Sequence, residues 1–244
     1  DVILLDSQSL VLCVRETDRP SRQRGDFRLS QNAGRIGAVD PERRRILWRS
    51  EPDAMTALTL AIGKGRIYYA APGQVVCLDR ANGRVLWRSE SVKGNGSHGT
   101  LVAQDEVVLY AYGPVSQDPV KRDYQTIRYH QAHAFAAETG EKLWSSPPYR
   151  GPSGNGQDIF VIDGLAWLGV DSQENLPDHW KDTTTQRLGY DLLTGAVKRK
   201  VSVPKLTSPG HHYRCYRSKA TERFLLLPKR GVEFLDLVGN DHMR

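Results

Sequence analysis

A short segment ending in Leu-Trp recurs along the chain, and it constrains the fold more than any other feature. Residues 66–87 contain a β-branched and aromatic run, a Pro72-Gly73 turn, a second run, the dipeptide Asn82-Gly83 and a third run. Asn-Gly is typical of tight hairpins, so we expect a two-residue type I′ turn there. Together with the apolar run at 57–62, the segment predicts four antiparallel strands joined by turns, the size of one propeller blade.

The same pattern returns elsewhere in the chain. Residues 134–144 match residues 77–87 in the turn glycine, the leucine and the tryptophan. Residues 38–48 keep Leu-Trp but have Arg44 in place of the glycine, which predicts a looser turn. Residues 189–197 keep the glycine and lose the tryptophan, and residues 231–237 look like the opening of another copy. Repeats of roughly 40 to 50 residues with about four strands each predict an all-β fold, a β-propeller of four-stranded antiparallel blades.

The repeats also predict the domain organisation. We expect a single partial β-propeller over residues 1–244, with about four to five blades at 1–52, 53–92, 93–150, 151–205 and 206–244, the last incomplete. The chain lacks an initiator methionine and reads as strand from its first residues, so we expect an excerpt of a longer protein.

Strand, Leu-Asp and then x-x-[Asn/Thr]-Gly-x-x-Leu-Trp resembles the pyrroloquinoline-quinone (PQQ) type propeller repeat. That repeat occurs in quinoprotein dehydrogenases, in the non-enzymatic propeller lipoprotein of bacterial outer-membrane assembly and in propeller modules of long multi-domain bacterial proteins. The resemblance implies that the turn glycine and the strand-end tryptophan dock neighbouring blades. The residues expected at these contacts are Trp48, Gly83, Trp87, Gly140, Trp144 and Gly195.

Composition narrows the function classes. The net charge of +6 comes from 34 Lys and Arg against 28 Asp and Glu, scattered over turns, and no nucleic-acid-binding motif accompanies it. We therefore expect no nucleic-acid partner. No apolar run reaches the length of a membrane span. Cys13, Cys77 and Cys215 are an odd number without a Cys-x-x-Cys, which argues against a disulfide framework and a zinc ribbon.

Two glycine-rich segments and two insertions lie between the predicted strands. Residues 94–99 spell G-x-G-x-x-G, but no helical pattern follows, so they are interpreted as an interblade loop, like residues 151–156. The insertions at 113–130 and 171–186 each separate the second and third strands of a blade. We expect both to rise from one face and to mark a surface for a protein or polymer partner.

The segment 209–223 is the richest in polar chemistry, and its interpretation stays open. A metal site from His211, His212 and Cys215 is disfavoured, because strand alternation sends His212 and Cys215 to opposite faces. A Cys215 nucleophile, an anion-binding rim and the polar lining of a channel mouth are the other hypotheses. The rim would consist of His211, His212, Arg214, Arg217, Lys219 and Arg223. Farther back, His130 and His133 are three apart, so we interpret them as one surface and one strand histidine.

We predict a non-catalytic binding or scaffold module within a larger protein, with a partner on the loop face or a neighbouring domain of the same chain. The alternative is the propeller portion of a PQQ-dependent dehydrogenase, for which the resemblance implies PQQ and a calcium ion held by Glu, Asn and Asp. No such set is recognisable, and no two cysteines are adjacent. We assign no catalytic residue and expect no metal or cofactor. The resemblance favours the periplasm or cell envelope.

Overall fold

The computed structural model describes residues 2–5, 9–15, 33–56, 59–94, 99–119, 126–150, 159–168, 185–203, 219–229, 231–239 and 241–243. The described part of the chain is all-β, and its strands form five sheets. Every pair of strands with a described register is antiparallel. Within those ranges, no helix has the length and apolar character that crossing a membrane would need.

The first two sheets follow the chain in simple order. The strands of the first sheet are β1 (Val2–Leu5), β2 (Leu10–Arg15), β3 (Ala33–Asp40) and β4 (Arg45–Arg49), and the short strand β5 (Asp53–Ala54) also pairs with β3. Those of the second sheet are β6 (Leu60–Gly63), β7 (Arg66–Ala71), β8 (Gln74–Asp79) and β9 (Val85–Arg88). Apart from β5, the strands of each sheet form a meander, in which every strand pairs with the next one along the chain.

The other three sheets repeat this arrangement. The third contains β10 (Gly99–Gln104), β11 (Val107–Pro119), β12 (Thr126–Ala136) and β13 (Lys142–Ser145), with β14 (Tyr149–Arg150) paired to β12. The fourth contains β15 (Phe160–Ile162), β16 (Leu165–Trp167), β17 (Thr185–Asp191) and β18 (Val197–Val203). The fifth contains β19 (Lys219–Ala220), β20 (Phe224–Lys229), β21 (Gly231–Asp236) and β22 (Asp241–Met243).

The second sheet is buried on both faces, which explains its near-continuous apolar strands. Successive side chains of a strand point to opposite faces. In β7, Ile67 and Tyr69 pack into one apolar cluster with Val11 and Ile36 of the first sheet. Tyr68, on the opposite face of β7, packs into a second cluster with residues of the third sheet. The second sheet therefore lies between two apolar layers.

The chain divides into two compact units, Asp1–Tyr112 with Phe135–Lys142 and Gly113–Ala134 with Leu143–Arg244. Both apolar clusters of the second sheet belong to the first unit. The second unit has its own cluster between the fourth and fifth sheets. That cluster consists of Ile162, Trp167, Val201, Leu225, Leu235 and Leu237.

The turn at Asn82-Gly83 differs from the predicted two-residue type I′ turn. The Asp79 N–H donates to the Arg84 carbonyl at 2.8 Å, so the loop spans four residues, 80–83. Only Gly83 in it has a positive φ, +74°, whereas type I′ requires two such residues. The reason lies at the start of the loop, where the Asp79 carboxylate accepts the Ala81 N–H at 2.7 Å and stabilises the wider turn.

Arg44 does not produce a looser turn, so that prediction is wrong. Asp40 pairs directly with Arg45, which leaves the same four-residue loop as in the second sheet. Arg44 occupies the glycine position with a left-handed φ of +50°. An L-residue with a Cβ is strained in this region, so the first sheet keeps the turn geometry at an energetic cost.

We expect Arg44→Gly to raise the free energy of unfolding by about 0.5 to 1 kcal/mol, because glycine adopts a left-handed φ without steric cost. The gain is limited because glycine also adds entropy to the unfolded chain. Urea denaturation would measure it. The matched control is Arg45→Gly, in the adjoining strand, which should destabilise; a loss of stability in both variants would contradict the strain at Arg44.

Candidate functional site

The recurring tryptophans join each sheet to the next one along the chain. Trp48, Trp87 and Trp144 lie on β4, β9 and β13, the fourth strand of each four-stranded meander. Their indole N–H groups donate to backbone carbonyls in the last turn of the following sheet, at Arg80 (2.8 Å), Ala137 (3.2 Å) and Leu192 (2.8 Å). We call each contact between a last strand and the following turn a seam.

The turn glycines provide the surface on which the indole rings lie. Gly83, Gly140 and Gly195 have φ values of +74°, +76° and +69°. A Cβ on these residues would lie 2.3 Å from the Trp48 ring, 2.4 Å from the Trp87 ring and 2.6 Å from the Trp144 ring. Two features of each seam therefore require glycine at this one position: the left-handed backbone and the indole ring that covers it.

The seam tryptophans differ in how far they are buried. Trp144 is only 9% exposed, and its ring stacks on Tyr190 at 5.9 Å between centroids. Trp87 is partly buried and lies 5.8 Å from Tyr68. Trp48 is also partly buried. The docking role expected of these residues stays a prediction until their contribution to stability is measured.

Serine residues two positions after each seam tryptophan form a second repeated contact that the sequence analysis missed. Ser50, Ser89 and Ser146 are buried. Their hydroxyls accept backbone N–H groups of the neighbouring strand, and their own N–H groups donate back to the carbonyls of the same residues. Each serine thus extends the hydrogen bonding between two neighbouring strands beyond the end of the last strand. The sequence signal was Leu-Trp-x-Ser, which occurs three times.

An aspartate begins the last turn of most sheets, and hydrogen bonds in the folded protein lower the pKa of Asp40 and that of Asp191. The Arg43 N–H donates to the Asp40 carboxylate, and the Thr194 N–H and hydroxyl donate to that of Asp191. These hydrogen bonds hold the pKa of Asp40 and that of Asp191 below their usual value. The repeated carboxylates are therefore structural parts of the turns.

Asp53, on β5 of the first sheet, connects that sheet to the second sheet. Its carboxylate accepts the Tyr69 hydroxyl at 2.5 Å and the Arg88 guanidinium at 2.7 Å. Burial opposes ionisation of Asp53, but the hydrogen bonds from Tyr69 and Arg88 outweigh it and hold the pKa of Asp53 below its usual value. Burial and the Asp53 carboxylate together raise the pKa of Tyr69.

We expect Asp53→Asn to lower the free energy of unfolding by about 1 kcal/mol near neutral pH. A carboxylate whose pKa is depressed by folding stabilises the fold above its unfolded pKa, and this contribution disappears as the pH falls through the folded pKa. The difference between wild type and variant should therefore shrink below the usual carboxyl pKa of 3.8. Denaturation across this pH range tests it. Glu42→Gln, which removes an exposed carboxylate, is the control and should show no such dependence.

Most of the predicted anion-binding rim lies outside the described residues, namely His211, His212, Arg214 and Arg217. Lys219 is exposed on β19. The Arg223 guanidinium donates to both carboxylate oxygens of Asp236, and it lies 5.1 Å from the centre of the Phe224 ring. Hydrogen bonds from Arg223 and from the Gly239 N–H hold the pKa of Asp236 far below its usual value. Arg223 thus has a charge partner within its own sheet, and the rim stays a prediction.

The glycine-rich segment 94–99 packs on tyrosines at both of its ends. A Cβ on Gly94 would lie 2.3 Å from the Tyr112 ring, and one on Gly99 would lie 2.8 Å from the Tyr110 ring. The two tyrosine rings stack on each other at 5.4 Å. These glycines are explained by close packing, and the strand β10 begins directly at Gly99. Residues 95–98 and 151–158 are outside the described part.

The structure differs from the prediction that one of the two histidines, His130 and His133, lies on the surface. His130 and His133 are both buried, at 7% and 4% exposure. The His133 Nδ1 lies 2.8 Å from the Ser145 hydroxyl, and His130 packs beside Tyr149. Of the insertion that begins at Gly113, residues 113–119 and 126–130 continue the strands β11 and β12. His130 therefore lies within β12, where it pairs with Tyr149 of β14.

Comparison with known proteins identifies the family. A family model described as outer membrane protein assembly factor BamB matches residues 32–204, more than half of the chain. The chain belongs to this PQQ-like repeat family. It is accordingly a β-propeller protein, as the sequence predicted. No protein of curated function matches the chain by sequence.

Solved structures of the same fold include BamB and several dehydrogenases. BamB from Moraxella catarrhalis is 9% identical with a TM-score of 0.61, over 100% of this chain and 59% of that one. Quinohemoprotein alcohol dehydrogenase ADHIIG from Pseudomonas putida HK5 is 12% identical with a TM-score of 0.62, over 99% and 41%. A europium-containing methanol dehydrogenase is 12% identical with a TM-score of 0.60, over 99% and 50%. The chain thus spans about half the length of these structures, and the likeness at such identities shows the fold alone.

The described residues of this PQQ-like repeat protein do not form a site for the calcium ion that accompanies PQQ. No group of three or more His, Cys, Asp or Glu side chains in the described ranges could hold a metal ion. The partly buried Asp53 carboxylate is bound by Tyr69 and Arg88. Cys13 and Cys77 are not adjacent, and burial raises the pKa of the Cys77 thiol to about 12.

Proposed function

We propose that the chain is a non-catalytic scaffold module of a larger protein and binds a protein partner. One observation carries the proposal: the recurring tryptophan, serine and aspartate side chains, which could take part in chemistry, form hydrogen bonds within the chain itself. The Trp87 indole donates to the next sheet, the Ser89 hydroxyl closes a strand end, and the Asp79 carboxylate stabilises a turn. Because each of these repeated groups is hydrogen-bonded within the fold, none of them is available to react with a substrate.

The family description supports a protein partner, because an assembly factor acts by binding other proteins. By the same resemblance we propose a location in the periplasm or cell envelope. The extended strands β11 and β12 contain described residues of the first predicted insertion, and we propose the surface around the two insertions as the partner surface.

A PQQ-dependent dehydrogenase is the second candidate function. Its support is the fold shared with the alcohol and methanol dehydrogenases. The two candidates make opposite predictions for cofactor retention. Purified full-length protein is incubated with PQQ and calcium and then desalted, and the absorbance of the retained cofactor is measured. The scaffold proposal predicts no retained PQQ, and a stoichiometric amount would contradict it.

The predicted anion-binding rim has a separate test within the scaffold proposal. Arg214→Ala combined with Arg217→Ala should abolish binding of an acidic peptide and leave the melting temperature almost unchanged. A large loss of thermal stability would show instead that these side chains support the fold.

A further inference from the structure

Three buried polar groups converge between the second and third sheets, within the first unit. The Tyr110 side chain on β11 is fully buried, and the Thr56 side chain between β5 and β6 is 3% exposed. Gly73, in the turn that joins β7 and β8, is also buried. Burial raises the pKa of Tyr110, against the opposing effect of the nearby Thr56 hydroxyl and Gly73 N–H. Both of these groups therefore face the Tyr110 hydroxyl.

Contacts of the surrounding backbone fix the place of Thr56. Its N–H donates to the Ala70 carbonyl of β7 at 2.7 Å, and its own carbonyl accepts the Thr59 hydroxyl at 2.6 Å. A Cβ on Gly99 would lie 2.8 Å from the Tyr110 ring and 3.2 Å from the Thr59 methyl group. The segment that carries Thr56 is therefore held between β7 and the Tyr110 ring.

The two hydroxyls face each other without a direct hydrogen bond. Neither the Tyr110 nor the Thr56 hydroxyl forms a hydrogen bond with any residue that the structure describes. The Tyr110 ring lies in the apolar cluster that includes Ala70, Val75 and Leu101. An unpaired hydroxyl in such surroundings is costly, and nearly all buried polar groups in folded proteins are paired with the protein or with ordered water.

We propose that the Tyr110 hydroxyl, the Thr56 hydroxyl and the Gly73 N–H bind one structural water molecule that joins the second and third sheets. The N–H requires an acceptor, and the hydroxyl oxygens can each accept or donate. A cation would be repelled by the N–H, and an anion would lose its hydration in the apolar cluster without gaining a charge partner. Water satisfies all three groups, and buried waters typically make about three hydrogen bonds.

The site lies beneath the chain that passes from the second sheet to the third. The Gly73 carbonyl accepts the Val92 N–H at 2.7 Å, and Gly94 packs on Tyr112, whose ring stacks on that of Tyr110. The water thus ties this passage to both sheets on the side of their first two strands, whereas Trp87 joins them from a fourth strand. Because the site is internal, it is independent of whether the protein acts as a scaffold or as a dehydrogenase.

Tyr110→Phe and Thr56→Val test the site in the full-length protein, because each removes one hydroxyl and nearly keeps the shape of the side chain. A bridging water predicts that each variant lowers the melting temperature by about 2 to 4 °C. Removal of a dry, unpaired hydroxyl would raise it instead. Tyr112→Phe is the matched control and should change the melting temperature by less than about 1 °C. An unchanged or raised value in Tyr110→Phe, or an equal fall in the control, would overturn the site.

A high-resolution crystal structure of the full-length protein separates the bridge from a direct bond between the hydroxyls. The expected result is one water within about 3.2 Å of Tyr110 Oη, Thr56 Oγ1 and Gly73 N. A direct hydrogen bond between the two hydroxyls, or no electron density between them, would overturn the proposal.

Discussion

Trp144→Ala is expected to lower the free energy of unfolding by about 3 to 5 kcal/mol, the range typical of a buried tryptophan replaced by alanine. The Trp144 ring is 9% exposed, lies against Gly195 and stacks on Tyr190 with an interplanar angle of 15°. Its removal leaves a cavity between the third and fourth sheets and deprives the Leu192 carbonyl of its donor.

Urea denaturation at neutral pH measures this loss, and two neighbouring variants resolve its origin. Leu143→Ala removes the preceding side chain, which is 38% exposed, and should cost less than about 1 kcal/mol. Trp144→Phe keeps an aromatic ring and loses the N–H donor, so it should fall between the two. A loss for Trp144→Ala as small as that for Leu143→Ala would show that the ring does not hold the sheets together.

Gly140→Ala is expected to cost about 2 to 4 kcal/mol, the second largest effect. The new Cβ would meet the Trp87 ring at 2.4 Å, which forces overpacking worth about 1 to 3 kcal/mol. The φ of +76° adds about 1 kcal/mol or more of left-handed strain for an L-residue.

Gly65→Ala separates these two contributions. Gly65 has a φ of +75°, almost the same as that of Gly140, but a Cβ there would have no neighbour within 4 Å. It should therefore show the strain alone, about 1 to 2 kcal/mol. Equal losses in Gly65→Ala and Gly140→Ala would mean that the indole yields to the new methyl group without cost.

The sheets could be predicted from the sequence because their signals are local. Pro72-Gly73 forms the two-residue turn expected of it, with Ala71 paired to Gln74. Asn82-Gly83 was misleading because it does not act alone: the Asp79 side chain, three residues earlier, stabilises a longer loop. Arg44 was misleading for a related reason, since the turn geometry is imposed by pairing on both sides and overrides the preference of one residue.

The candidate site was less predictable, because its contacts join residues far apart in the chain. The Leu-Trp repeat pointed to the tryptophans and glycines, whereas the serines were overlooked although Leu-Trp-x-Ser was in the sequence. The absence of a tryptophan from the fourth repeat was visible, but that Arg199 reaches Val238 and Asp163 follows only from the folded geometry. The segment 204–218 lies outside the described residues, so its hypotheses stay open.

A double-mutant cycle between Trp87→Ala and Gly140→Ala tests most directly whether an indole seated on a turn glycine holds neighbouring sheets together. If it does, Gly140→Ala should cost only the strain of about 1 to 2 kcal/mol once the Trp87 ring is gone, which gives a coupling energy of at least about 1 kcal/mol. Additivity of the two single losses to within about 0.5 kcal/mol would contradict the seam.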